Sequence, residues 1–202
     1  MGGWEPVSPP LQLSFVLSAP SVAALPHTAA EVAVVGRSNV GKSSLINALA
    51  NRKSLAQVSN TPGRTRLLNL YQLANGGTVL DLPGYGYAAV SQRTLSTWPA
   101  LIEGYLLGRA HLEMVVALID AAMGPTRLDV QMLDWLRSHE LPHVVVATKH
   151  DKVKPSQRLR RRAELAAACS LHPADIVWVS ASKGTGVEQL RGFVRMWLAA
   201  AS

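Results

Sequence analysis

The sequence predicts an α/β fold with a mixed, mostly parallel six-stranded sheet and helices on both faces. Three observations carry this reading. Short β-branched runs alternate with longer segments whose apolar residues recur every three or four positions, the pattern of a sheet covered on both sides. A G-x-x-x-x-G-K-S stretch closes the first such run and opens the first helical segment. Asn75-Gly76-Gly77 separates two neighbouring runs in the manner of a hairpin turn, making one strand pair antiparallel.

In order, the expected strands are Val32 to Val35, Leu67 to Leu73, Thr78 to Leu80, Met114 to Ile119, Val144 to Ala147 and Ile176 to Val179, each a short β-branched or aliphatic run. Helices are expected after Gly41 and over Leu95 to Ala110, Asp129 to His139, Ser156 to Ala168 and Val187 to Ala200. Residues 1–30, rich in Pro, Ser and Ala, read as an arm laid on the domain formed by residues 31–202. The apolar run Leu11 to Leu17 is its contact, as arm or strand, and Pro26 its end.

With 202 residues, nearly half of them apolar, the chain can bury a sizeable core, and one domain is expected. A net charge of +7 and a pI near 10.0 suit a polyanionic partner. Cys169 is the only cysteine, so no internal disulfide can form and a reducing compartment is expected. Glu5 and Ser8-Pro9-Pro10 do not read as a signal peptide, and runs such as Met114 to Ile119 are too short to cross a bilayer. A soluble, cytoplasmic monomer without membrane insertion is expected. The five tryptophans are scattered and read as core or interface fillers rather than a base-stacking platform.

Gly36-Arg37-Ser38-Asn39-Val40-Gly41-Lys42-Ser43 carries the strongest chemical signal. Its glycines let consecutive N–H groups and a helix N-terminus point at phosphate oxygens. Lys42 brings a compact positive charge to the β- and γ-phosphates, and the Ser43 hydroxyl stands where Mg²⁺ is ligated. Asp81-Leu82-Pro83-Gly84 ends the third strand. There an acidic residue can hold Mg²⁺ through water and the Gly84 N–H can sense the γ-phosphate, although Asp-x-x-Gly alone is usually a turn. Thr148-Lys149-His150-Asp151 places a carboxylate at the carboxyl end of a strand, able to accept two N–H donors that guanine has and adenine lacks. After the last strand, Val179-Ser180-Ala181 leads into Ser182-Lys183-Gly184, and the Ala181 N–H could donate to the guanine carbonyl oxygen. The four signals occur in order, each just past an expected strand, and point to a P-loop nucleotide site with guanine rather than adenine specificity, hence GTP or GDP. A switch loop is expected over Ser59 to Arg66, with Thr61 and Thr65 both able to offer a hydroxyl to Mg²⁺.

The stretches GRSNVGKSSLINAL, NTPGRT, DLPGYGYA, TKHD and VSASKGTG together resemble the EngB (YihA/YsxC) GTPases of ribosome biogenesis, of the TRAFAC class, over about residues 15 to 200. The resemblance implies a P-loop NTPase (Ras-like) domain, GTP and Mg²⁺ binding, GTP hydrolysis, work on the large ribosomal subunit or its assembly intermediate and its rRNA, and a link to cell division and septation. Carried over by position, it implies nucleotide contacts at Gly36 to Ser43, at Gly63, Arg64, Thr65, Arg66 and Leu67, at Asp81 to Gly84, at Thr148 to Asp151 and at Val179 to Ala181. It favours Thr65 over Thr61 and makes Ser43 and Thr65 the Mg²⁺ ligands, with Lys42, Thr65 and Gly84 as the catalytic set. Arg66 departs from the glutamine common at its position, and His150 stands at a variable one.

Ras-like enzymes orient the attacking water with a glutamine just after Asp-x-x-Gly, where this chain has Tyr85. Slow intrinsic hydrolysis is therefore expected, stimulated by a ribosomal partner or by K⁺ near Asn39. Lys152, Lys154, Arg158, Arg160, Arg161 and Arg162 run from the guanine loop onto a helix, as an rRNA phosphate contact or as an ordinary solvated face.

Overall fold

The computed structural model describes residues 8–57, 67–74, 76–86 and 100–199. Its strands are β1 (Leu13–Ala19), β2 (Glu31–Gly36), β3 (Leu68–Leu73), β4 (Thr78–Asp81), β5 (Leu112–Asp120), β6 (His143–Thr148) and β7 (Ile176–Trp178). The helices are α1 (Lys42–Leu49), α2 (Ala100–Gly108), α3 (Arg127–Ser138), α4 (Arg158–Ala168) and α5 (Val187–Ala199). All strands join one sheet in the order β1-β3-β4-β2-β5-β6-β7. The pairs β2·β4, β2·β5, β5·β6 and β6·β7 are parallel, whereas β3 is antiparallel to both β1 and β4.

Among the described residues the sheet thus has seven strands, not six. The additional one, β1, comes from the run read as an arm or strand, and its register shifts between Phe15 and Leu17. That irregularity breaks the alternation of side chains by which a half-buried strand is recognised in sequence. Leu13 and Ala19 are buried at its ends while Phe15 and Val16 are exposed.

Alternation along the inner strands sends each face to a different layer. Val32, Val34, Val116, Leu118 and Val146 pack under α1 and α5 through Leu45, Ile46, Leu49, Val187, Leu190 and Val194. Ala33, Val35, Val115, Ala117, Ile119, Val145 and Ala147 pack under α2, α3 and α4 through Ile102, Tyr105, Met132, Leu133, Leu136 and Leu165. These continuous apolar runs have period-two contacts on both sides, which is why they read as buried strands. The hairpin at Asn75 to Gly77 forms as expected around Gly76, with Leu73 N–H donating to the Gly77 carbonyl at 2.8 Å; Asn75 itself lies outside the described residues.

α3 starts at Arg127, two residues ahead of expectation, because Asp129 reaches back to Thr126: its Oδ2 accepts the Thr126 N–H at 2.8 Å and hydroxyl at 2.7 Å. Residues 95–99 of the second expected helix lie outside the described residues. Among the described residues, no helix is long and apolar enough to cross a membrane.

At the end of β2 away from the G-x-x-x-x-G-K-S loop, Glu31 is fully buried. Its carboxylate accepts from Thr28 Oγ1, from Tyr105 Oη at 2.7 Å and from Arg109, whose Nε lies 3.0 and 3.1 Å from the two oxygens and whose Nη2 also bonds Oε1. Arg109 Nη2 continues to the Pro26 carbonyl at 2.8 Å. One buried carboxylate thereby ties α2 and the segment before β2 to the sheet.

Candidate nucleotide-binding site

Parallel strands end on a common edge, and the loops leaving β2, β4, β6 and β7 converge there. The loop after β2 turns into α1 at Gly41, whose φ of +109° only glycine adopts without strain, and the first turn of α1 has no side-chain cap for its N–H groups. Lys42 is buried in that turn, its Nζ donating to the Gly36 carbonyl at 3.4 Å. Burial lowers its pKa, and the Asp81 carboxylate opposes that shift.

Asp81, at the end of β4, is 2% exposed. Burial pushes its carboxyl up to about 6, against the pull of Lys42 and a hydrogen bond from Ser43. Oδ1 has no hydrogen-bond partner among the described residues. A buried carboxylate oxygen without a donor, next to a lysine and a serine hydroxyl, is a site short of positive charge or a water donor.

Gly84 lies directly against the phosphate loop. A Cβ there would stand 2.8 Å from Ser38 Oγ and 2.9 Å from Ser38 N, so any side chain would push the two loops apart. Ser38 holds this approach, its hydroxyl donating to the Gly84 carbonyl at 3.3 Å and its N–H to the Tyr85 carbonyl at 3.0 Å. Tyr85 is buried, and its hydroxyl donates to Asp129 Oδ1 at 3.0 Å.

On the far side, Thr148 Oγ1 donates to the Val40 carbonyl at 2.7 Å, joining β6 to the phosphate loop. Lys149 adopts a φ of +56° and sends Nζ to the Asn39 carbonyl and to Asp120 Oδ2, both at 2.7 Å. Asp151 Oδ1 accepts from Ser180 Oγ at 2.6 Å and Oδ2 from Ser182 Oγ at 3.2 Å. The Ser180 hydrogen bond holds this carboxyl below its ordinary range, with burial opposing. Each oxygen keeps a lone pair for a further donor. Ala181, half-buried, follows Val179, whose N–H donates to the Ala147 carbonyl at 2.9 Å.

His150 turns the other way, its buried ring packed 5.6 Å from Trp178. Burial, with Arg162 and Arg158 nearby, lowers its pKa. Of the expected site residues, the phosphate loop, Asp81 to Gly84, Thr148 to Asp151 and Val179 to Ala181 are brought to one edge. Gly63, Arg64, Thr65 and Arg66, with Thr61, lie outside the described residues, and Leu67 is exposed beside β3. Sequence reasoning gives no site role to Asp120, Ser182 and Asp129, although Asp120 carries the same signal as Asp81, an acid at the carboxyl end of a parallel strand.

Residues 31–149 match the family described as 50S ribosome-binding GTPase. A probable GTP-binding protein EngB of Pelotomaculum thermopropionicum is 44% identical over 186 residues, covering 91% of this chain and 94% of that protein. The chain belongs to the EngB family of P-loop GTPases. A second EngB relative, from Clostridium acetobutylicum, is 50% identical over 130 residues, and the match spans 64% of this chain and 65% of that protein, just under two thirds of its length. The crystal structure of a probable GTP-binding protein engB superposes with a TM-score of 0.64 over 85% of this chain and all of that one; at 22% identity it shows the shared fold.

Proposed function

We propose that this EngB-family chain binds GTP and GDP and hydrolyses GTP slowly, as a switch in cytoplasmic assembly of the large ribosomal subunit, with the family's link to cell division and septation. The observation that carries the reading is the convergence on one sheet edge of the Gly36 to Ser43 cradle, the Lys42–Asp81 pair and an Asp151 whose two oxygens are aimed by Ser180 and Ser182.

The cradle N–H groups and Lys42 bind the phosphates, and Asp151 reads the N–H edge of guanine with the Ala181 N–H on its carbonyl oxygen. The unpartnered Asp81 Oδ1 beside Ser43 fits a hydrated Mg²⁺, held directly by Ser43 and, in the family's manner, Thr65. That ion would neutralise charge developing on the phosphate oxygens. Gly84 offers its N–H to the γ-phosphate, and Thr65 joins it only in the GTP state. Slow turnover is supported by Tyr85, which stands where a water-orienting glutamine would and whose buried hydroxyl donates to Asp129. The same feature favours a second reading, a nucleotide-gated RNA- or ribosome-binding module in which hydrolysis is incidental.

Labelled GTP and GDP are expected to bind and ATP not to. Turnover is expected to rise by at least about tenfold with large ribosomal subunits, the scale at which a partner supplies a missing charge or positioning group. Preferential ATP binding would sink the guanine assignment, and turnover unchanged by subunits would leave the module reading in place. Replacing K⁺ by Na⁺ in the same assay tests a monovalent cation at Asn39; equal rates would dispose of it.

The face proposed to meet rRNA lies on α4 and the turn before it. Lys152, Lys154, Arg160 and Arg162 are exposed. Arg160 pairs with Glu164, and Arg162 lies 5.3 Å over the Trp178 ring. Reversing Lys152, Lys154 and Arg160 to Glu is expected to weaken binding to the large subunit and to flatten the slope of log affinity against log salt by about one per lost phosphate contact. An unaltered slope would show α4 to be a solvated face.

A further inference from the structure

Asp129 has more partners than capping α3 requires. Its side chain is inaccessible to solvent, and the Thr126 bonds to Oδ2 already satisfy the helix start. Oδ2 also accepts from Arg37 Nε of the phosphate loop at 3.0 Å, and Oδ1 accepts the Tyr85 hydroxyl at 3.0 Å. Arg37 and Tyr85 stand 92 and 44 residues away in sequence, so one carboxylate joins α3 to both loops that flank the place of the γ-phosphate. Burial and the neighbouring Asp129 raise the Tyr85 phenol well above its ordinary pKa, keeping it a donor.

The Tyr85 backbone is fixed as well. Its N–H donates to the Gly36 carbonyl at 3.4 Å and its carbonyl accepts from Ser38 N at 3.0 Å. Gly84 is thus held between Asp81, in β4, and a tyrosine pinned at side chain and main chain.

We propose that Asp129 is a positioning residue which, through Tyr85 and Arg37, anchors the Asp81–Gly84 segment on the phosphate loop and so strengthens binding of GTP while leaving binding of GDP unaffected. This rests on reading the chain as a guanine-nucleotide switch. A segment already in place binds the γ-phosphate without first being ordered; once released, it must be ordered at the expense of affinity. GDP makes no demand on Gly84 and is indifferent to the anchor.

The test compares the full chain with Tyr85→Phe and Asp129→Asn. Tyr85→Phe is expected to keep GDP affinity within about threefold and to lose about tenfold in affinity for a non-hydrolysable GTP analogue, the scale of one hydrogen bond to a charged group. Without nucleotide, amide hydrogen exchange over residues 82–86 is expected to quicken at least about tenfold. Asp129→Asn should move both readouts the same way, and if it does not fold, Tyr85→Phe decides alone. Equal losses for GDP and the analogue, or unchanged exchange, would overturn the anchor. Should the native chain bind neither nucleotide, the switch reading fails, while the exchange difference still judges the anchor by itself.

Discussion

Asp151→Asn is expected to lower affinity for GTP and GDP by about a thousandfold while leaving the melting temperature unchanged. The carboxylate is acceptor-only, so it can face two guanine N–H groups at once; the amide has one acceptor and turns an NH₂ toward the second donor. Each bond to the charged group is worth about 1.5–3 kcal/mol, and the substitution forfeits the charge in both and one bond outright. The fold is spared because Ser180 still donates to the remaining carbonyl oxygen, and Asp151 is only half-buried. Xanthine carries a carbonyl where guanine carries its amino group, so xanthosine nucleotides should gain where guanosine nucleotides lose. Titration of labelled GDP, XDP and ATP against both proteins checks this. Undiminished GDP binding by the variant would remove Asp151 from the base site.

What the sequence makes legible follows from how local each constraint is. Lys42, Asp81, Asp151 and Ala181 can be proposed from the sequence because the chemistry requires a residue type at a set distance from a strand end, and those distances are short. The outer strand β1 was read no further than an arm or strand, because its partner β3 lies about fifty residues on and its bulge hides the alternation. In the sequence Asp129 marks no more than the start of an expected helix. Only the packing of α3 brings Tyr85 and Arg37 to the same carboxylate. His150 sits inside a binding motif, yet the structure gives its ring to Trp178, a neighbour on β7 that local spacing could not supply.

Glu31 is the strongest case of that kind, and its loss should be the largest effect on stability. A carboxylate opening a buried strand gives no sign in the sequence that Arg109, 78 residues later, will close on it with Tyr105 and Thr28. Glu31→Gln keeps the shape but removes the charge that compensates Arg109, which is itself mostly buried. Breaking a buried pair in this way costs about 3 kcal/mol or more, a fall of roughly 10 °C in melting temperature for a domain of this size. The pH dependence has a definite sign. Burial alone would raise the Glu31 carboxyl, but hydrogen bonds from Arg109, Thr28 and Tyr105 outweigh it and hold the pKa below the ordinary 4.5. A carboxyl depressed in the folded state contributes stability that is complete above its unfolded pKa and is lost as pH falls through the folded value. The native chain should therefore exceed Glu31→Gln by its full margin at pH 7, and the gap should narrow only below about 4.5. Thermal melts of both proteins across that range decide the matter: a gap that stays constant down to pH 3 would mean the charge of Glu31 contributes nothing, and the network holds by packing alone.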